Sequence, residues 1–280
     1  MNTLALFNAV CMKASRHTTH SYSTSFSLGI RSLHKRFHDP IHAIYGFVRF
    51  ADEIVDTFHG HDKATLLARF TEDTHRAIAE GISINPILQS FQLVVNEYRI
   101  EHELYDTFLA SMAMDLSKTR HDQRSYKTYI LGSAEVVGLM CLRVFCEGDD
   151  ALYQRLKPAA MNLGAAFQKV NFLRDLKDDH SQLGRTYFPG VDAEHLTVSA
   201  KNQIEQDIQS DFDAALIGIR QLPKGARFGV YIAYVYYLNL FRKIKALPCE
   251  RILHERVRVR NRRKLTLLTA SYLRHSLGML

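Results

Sequence analysis

IHAIYGFVRFADEIVD, residues 41–56, is apolar at most positions and charged at four. At about 100° per residue on an α-helix, Tyr45, Arg49, Asp52 and Asp56 fall at spacings of four, three and four and form one narrow stripe. Ala43, Ile44, Phe47, Val48, Phe50, Ala51, Ile54 and Val55 occupy most of the remaining circumference, leaving Glu53 as the one charge off the stripe. A helix apolar nearly all round is a buried helix. Charges on such an element are costly unless paired or bound to something, so the stripe is expected to line an internal, ligand-filled cavity.

A second stretch, LGAAFQKVNFLRDLKDD at 163–179, follows the same plan. Gly164, Gln168, Asn171, Asp175 and Asp179 share one face, while Leu163, Ala166, Phe167, Val170, Leu173 and Leu176 cover much of the rest. Carboxylates four residues apart on a helix stand about 5–6 Å from each other. One such pair is ordinarily a solvated face. Two pairs, each on an otherwise apolar helix with an arginine within a turn, point to a bound cation. Carboxylate oxygens without His or Cys beside them suit a hard ion that takes its remaining ligands from water and phosphate, as Mg²⁺ does, with Mn²⁺ as a substitute.

Hydrophobic content of 46% and charged content of 23% over 280 residues exclude disordered and fibrous classes. Six prolines, 14 glycines and few alternating β-branched runs favour helices over sheet. Cys11, Cys141, Cys146 and Cys249 are scattered, without a CxxC pair, and read as thiols of a reducing cytoplasm. The N-terminus has no cation before its short apolar run and no small-residue cleavage site, unlike a secretory signal. The longest uncharged apolar run, Phe228 to Leu238, is about half of a spanning helix, so no transmembrane segment is expected. A net charge of +7 raises a nucleic-acid reading. The cations are dispersed until the C-terminus, however, and no nucleic-acid-binding motif is present; an anionic small substrate or an anionic membrane accounts for the sign.

Along the chain, residues 2–16 read as an amphipathic helix and HTTHSYSTSF at 17–26 as a hydroxyl-rich loop in which Ser23 or Ser25 caps a helix. Asp39 is expected as the N-cap of the buried helix, with Pro40 at its first position. His59 and His61 fall at a solvated turn. Helices follow at about 62–80, 86–98 and 101–116, then a long apolar one at 125–145 whose Gly132, Ser133, Ala134 and Gly138 serve close packing or ligand space equally well. After the second aspartate helix, residues 180–195 form the longest irregular stretch, placed to cover the site. Helices at about 197–221 and 225–247 precede a basic, then apolar, terminal helix. Its Arg258, Arg260, Arg262, Arg263 and Lys264 are suited to holding a cytoplasmic protein at an anionic membrane surface. No internal repeat or linker appears beyond the two aspartate helices, so one all-α domain, residues 1–280, is expected.

With these motifs assembled the chain resembles the squalene and phytoene synthase family over roughly residues 20–265. STSF at 23–26 resembles its Ser-x-Ser-Phe, YGFVRFADEIVD at 45–56 its first aspartate-rich motif, QKVNFLRDLKDD at 168–179 its second, and GRTYFP at 184–189 the Gly-Arg-x-Tyr-x-Pro that follows. Asp178 departs from the family's Glu, and Glu135 from its Gly in an Ala-Gly-x-Val-Gly stretch, which bears on cavity shape and substrate length.

The resemblance implies a helical isoprenoid-synthase bundle that joins two allylic prenyl diphosphates head to head. By position, Asp52, Asp56, Asn171, Asp175 and Asp179 would hold Mg²⁺, and Arg49, Arg174 and Arg185 would neutralise diphosphate. Ser23, Ser25 and Gln168 would add hydrogen bonds, and Tyr45, Tyr129, Tyr187 and Tyr237 would lie near the reacting carbons. It further implies a cyclopropylcarbinyl diphosphate intermediate and, from two geranylgeranyl diphosphates, phytoene. Squalene or dehydrosqualene from farnesyl diphosphate is the alternative, and squalene formation also needs NADPH. A non-catalytic scaffold of the same family would be expected to lack the aspartates. Neither oligomeric state nor NADPH use is legible.

Overall fold

The computed structural model describes residues 3–191 and 196–254, except the side chains of 179–183 and 254. Among these residues the secondary structure is helical, apart from an isolated bridge between Arg120 and Thr186. The helices are α1 (Thr3–Tyr22), α2 (Thr24–Arg31), α3 (His38–Asp56), α4 (Lys63–Glu80), α5 (Pro86–Tyr98), α6 (His102–Ser117), α7 (Gln123–Ile130), α8 (Val136–Cys146), α9 (Asp150–Leu183), α10 (Val198–Ile219), α11 (Lys224–Lys245) and α12 (Cys249–His254). This is an all-α bundle.

The α3 stripe sorts as expected. Ala43, Ile44, Phe47, Ala51 and Val55 are buried. Phe47 stacks on Phe91 of α5 at 3.8 Å and tilts against Phe108 of α6 at 5.5 Å. Each fully buried phenylalanine contributes about 2 kcal/mol of transfer free energy, so this trio pins α3 between its neighbours. A second apolar group centres on Phe172, Phe212 and Phe241 of α9–α11. The cavity opens between the two groups.

Four local expectations change. The hydroxyl-rich stretch is helical to Tyr22, because Thr18 Oγ1 and Thr19 Oγ1 donate to Ala14 O and Ser15 O at 3.0 and 2.9 Å. Hydroxyls satisfied inside a helix no longer compete with it. The break shrinks to Ser23, whose Oγ accepts from Phe26 N at 3.1 Å and caps α2. Asp39 is not an N-cap: a 3₁₀ turn at Lys35–Phe37 runs directly into α3, and Asp39 in its first turn pairs with Arg16 at 2.5 Å. The 125–145 helix contains a π turn at Leu131–Glu135. Finally, α9 continues to Leu183, so irregular backbone begins at Gly184.

The π turn resolves how its small residues are used. A Cβ on Gly132 would stand 2.5 Å from Ser111 Cβ and 2.7 Å from Thr107 O, so this glycine lets α6 approach, whereas Ser133, Ala134 and Gly138 line the cavity. The stretch Gln123–Cys146 is long and apolar enough to cross a membrane by length and composition, yet it packs in the bundle against α6 and α9. The basic segment at 255–280 lies outside the described residues.

Candidate active site

Seven of the residues picked out by sequence line one cavity of about 400 Å³: Tyr45, Arg49, Asp52, Tyr129, Gln168, Asn171 and Tyr237. Its lower walls are apolar and built from small residues, including Gly29, Gly138, Ala160, Gly164, Ala215, Gly218 and Ala233. Gly164 is required where it stands, since a Cβ there would lie 2.6 Å from Ala134 O. Glu135 is not a lining residue. Burial, then the nearby Asp211, pushes its carboxyl up to about 7, with Lys169 opposing, which places its charge on the α9–α10 side of the π turn.

The polar rim is made of arginine–aspartate pairs. Arg49 Nη1 lies 2.8 Å from Asp52 Oδ2, its Nη2 binds Glu53, and its guanidinium covers the Tyr22 ring at 4.3 Å. Arg174 Nε donates to Asp175 Oδ1 at 2.9 Å, and its Nη2 reaches the other oxygen. Arg185, buried on the strand-like segment after α9, donates from Nη1 to Asp56 at 2.7 Å and from Nη2 to Asp115 O at 3.0 Å. Thr186 N bonds Thr119 O at 2.8 Å, which fixes that segment beside α6.

The tyrosines form the wall below the rim. Tyr129 Oη donates to Asp115 Oδ2 at 2.6 Å, and Tyr187 stacks on Tyr129 at 5.2 Å and on Phe172 at 4.0 Å. Tyr237 stacks on Phe167 at 3.9 Å with Asn171 beside its hydroxyl, and Ser23 stands beside Tyr45. Ser23, spent on capping α2, and the half-buried Ser25 on that helix do not line the cavity. His59 and His61 are exposed. The Asp179 side chain lies outside the described residues, although its backbone continues α9.

Asp115 is the residue that sequence reasoning missed. Its side chain is 3% exposed, and burial, opposed by Arg185 and Tyr129, pushes its carboxyl up to about 7. The signal was a lone acid in the apolar run SMAMDL. Burial and then the charge of Asp56 push Asp52 up to about 6, in spite of Arg49 and Arg185.

Asp52, Asp56 and Asp115 face two arginines, Arg49 and Arg185, so the site is one positive charge short when all three carboxyls are ionised. Among the described residues no three His, Cys, Asp or Glu side chains are arranged to hold a metal by themselves. The buried Asn171 Oδ1 and Asp115 Oδ1 lack hydrogen-bond partners, and oxygen donors of this kind fit a hard divalent cation that completes its shell with phosphate oxygens.

An apolar cavity rimmed by aspartates and arginines within an all-α bundle points to a definite class. The sequence model of Squalene/phytoene synthase matches residues 19–263, and the chain belongs to that family. It is 27% identical over 247 residues to a phytoene synthase of Rhodobacter capsulatus, covering 81% of this chain and 70% of that one. To a 4,4'-diapophytoene synthase of Staphylococcus haemolyticus it is 27% identical over 199 residues, 68% and 66% of the two chains. A crystal structure of a dehydrosqualene synthase with ligand superposes with a TM-score of 0.82 at 21% identity, covering 96% of this chain and 98% of that one. The chain spans between 57% and 72% of the length of the curated relatives it matches.

Proposed function

We propose that the protein condenses two prenyl diphosphates head to head and that its substrate is geranylgeranyl diphosphate, giving phytoene through a cyclopropylcarbinyl diphosphate. The observation that carries the chain length is the depth of the cavity. On α9 the lining residues run from Asn171 at the rim to Leu156 at the blind end, fifteen steps of about 1.5 Å, or roughly 22 Å. An extended chain of ~1.5 Å carbon–carbon bonds advances about 1.25 Å per bond, so a C20 prenyl chain needs roughly 19 Å and a C15 chain roughly 14 Å.

Asp52, Asp56, Asn171 and Asp175, with Asp179, would hold Mg²⁺, which when bound stabilises negative charge on the departing diphosphate. The chain's own residues do the rest. Arg49, Arg174 and Arg185 present guanidinium forks matched to phosphate oxygens. Tyr45, Tyr129 and Tyr237 line the chamber, with Tyr187 stacked behind Tyr129, and their ring faces stabilise an allylic cation while the apolar walls exclude its hydrolysis. Asp115, buried behind Tyr129 with a carboxyl near neutrality, is suited to accept the proton lost at the end.

The test is incubation with Mg²⁺ and either geranylgeranyl or farnesyl diphosphate, with and without NADPH, and identification of the hydrocarbon by mass. A C40 product without NADPH is expected. A C30 product moves the reading to the squalene or dehydrosqualene branch, and turnover of neither leaves a family scaffold.

A further inference from the structure

The blind end of the cavity lies beneath two turns that the proposed chemistry does not use. Residues 32–37 after α2 meet residues 220–225 between α10 and α11: His34 N donates to Gly225 O at 2.8 Å, and a Cβ on Gly225 would stand 3.1 Å from His34 Cβ. Leu33 and Leu222, one from each turn, line the cavity from within. The outer surface here is therefore one side chain away from the apolar interior.

That surface is basic. Arg31, Lys35, Arg220 and Lys224 are all exposed, and among the described residues none is in an ion pair. Their cationic neighbours are engaged elsewhere, Arg36 with Glu147 at 2.8 Å and Arg227 with Leu222 O. The acids in the α8–α9 turn are occupied as well, Asp150 pairing with Arg143 and Asp149 capping Leu152 N, while Asp213, exposed one turn before Ile217 on α10, accepts from Gln209 Nε2. No Asp or Glu precedes Asp39, and none lies between Asp213 and Glu250.

The excess is local. Residues 255–280 hold seven Lys and Arg against one Glu, a net +6 of the total +7, so the remainder of the chain is close to neutral at +1. Ile217, three residues before Arg220 on the last turns of α10, is 62% exposed. Exposed cations on two joined turns and a protruding aliphatic side chain on the helix that leads into one of them match the charge of an anionic bilayer and the apolar layer beneath its headgroups.

We propose that this end of the molecule docks on an anionic lipid bilayer, with Ile217 seated at the headgroup boundary and the blind end of the cavity against the membrane. The proposal rests on the prenyl-condensing reading only for its purpose, since a hydrocarbon product has no aqueous destination. Docking itself is read without substrate: an inactive protein that binds still supports it, and an active one that does not bind overturns it alone.

The experiment uses the full chain and vesicles of phosphatidylcholine with or without phosphatidylglycerol. Partitioning onto the anionic vesicles is expected to fall about a hundredfold or more in R31E/K35E/R220E/K224E, at roughly fivefold per cation, with the melting midpoint checked to confirm folding. Because the chain has no tryptophan, I217W supplies a single reporter at wild-type charge. Its emission shifts to the blue on anionic vesicles, whereas that of I84W, at the 98%-exposed tip of the α4–α5 loop, does not. The proposal is overturned if charge reversal leaves partitioning unchanged, if only reversal of Arg258, Arg260, Arg262, Arg263 and Lys264 abolishes it, or if I84W shifts in place of I217W. Binding of duplex DNA that exceeds vesicle binding and is lost in the reversed variant would assign the surface to nucleic acid instead.

Discussion

Replacing Asp115 by Asn should stabilise the metal-free protein, and increasingly so as pH rises. The carboxyl titrates near 3.9 in an unfolded chain and at about 7 in the folded one, chiefly because it is buried. A folded-state value above the unfolded one means that the native state holds the proton more tightly. Stability from this group is then full below the unfolded value and is lost as pH rises through the folded one, about 1.4 kcal/mol per unit across that window. Asn keeps the shape, and its oxygen still accepts from Tyr129 Oη, but it has nothing to ionise. Between pH 5 and pH 8 the variant should therefore gain roughly 3 kcal/mol on the parent. Urea unfolding in EDTA at the two pH values measures the difference, in which groups that do not interact with Asp115 cancel. A difference that stays flat, or turns against Asn at high pH, would show that Arg185 and Tyr129 outweigh burial, and the reasoning would fail.

Arg185→Lys, which cannot span Asp56, Asp115 O and Tyr187 together, should leave partners unpaired at a cost of about 2–4 kcal/mol; it is read as lower kcat/KM together with a lower melting midpoint. Gly132→Ala forces a Cβ against the α6 backbone and should cost about 2 kcal/mol in urea unfolding. Leu156→Phe adds bulk at the blind end and should lower kcat/KM for the C20 substrate at least about tenfold relative to the C15 one; equal losses would place the chain terminus elsewhere. Tyr237→Phe removes the hydroxyl beside Asn171 and should raise KM for the diphosphate severalfold with unchanged product length.

The fold was legible because the two aspartate helices carry polar residues on a single stripe, a pattern that only a lined cavity reconciles with their apolar remainder. The stripe also located Tyr45, Arg49, Asp52, Gln168 and Asn171, whose spacing on one helix determines which face they share. Asp115 and Tyr22 escaped because their roles depend on how α6 and α1 approach α3 and the segment after α9, and helical periodicity carries no such information. The HTTHSY error has a related cause: whether a hydroxyl satisfies its own helix or breaks it depends on burial, and Ser15 and Thr19 are fully covered by neighbouring elements. The π turn gave no sign beyond its small residues, since one extra residue per turn is set by packing against Ser111 and Gly164.

The three arginine–aspartate pairs at the rim have a consequence for the order in which ligands arrive. A divalent cation entering alone must displace a guanidinium from its carboxylate and strand it, and a diphosphate entering alone must draw a guanidinium away and strand the carboxylate. Either half-reaction exposes a bare charge in a half-buried setting. When both come together, each displaced group finds a new counterion, and the rim exchanges one set of neutral pairs for another. On the proposed reading cation and diphosphate would be thermodynamically coupled, each raising the other's affinity by the same factor, and the rim would admit the complex of the two more readily than either one.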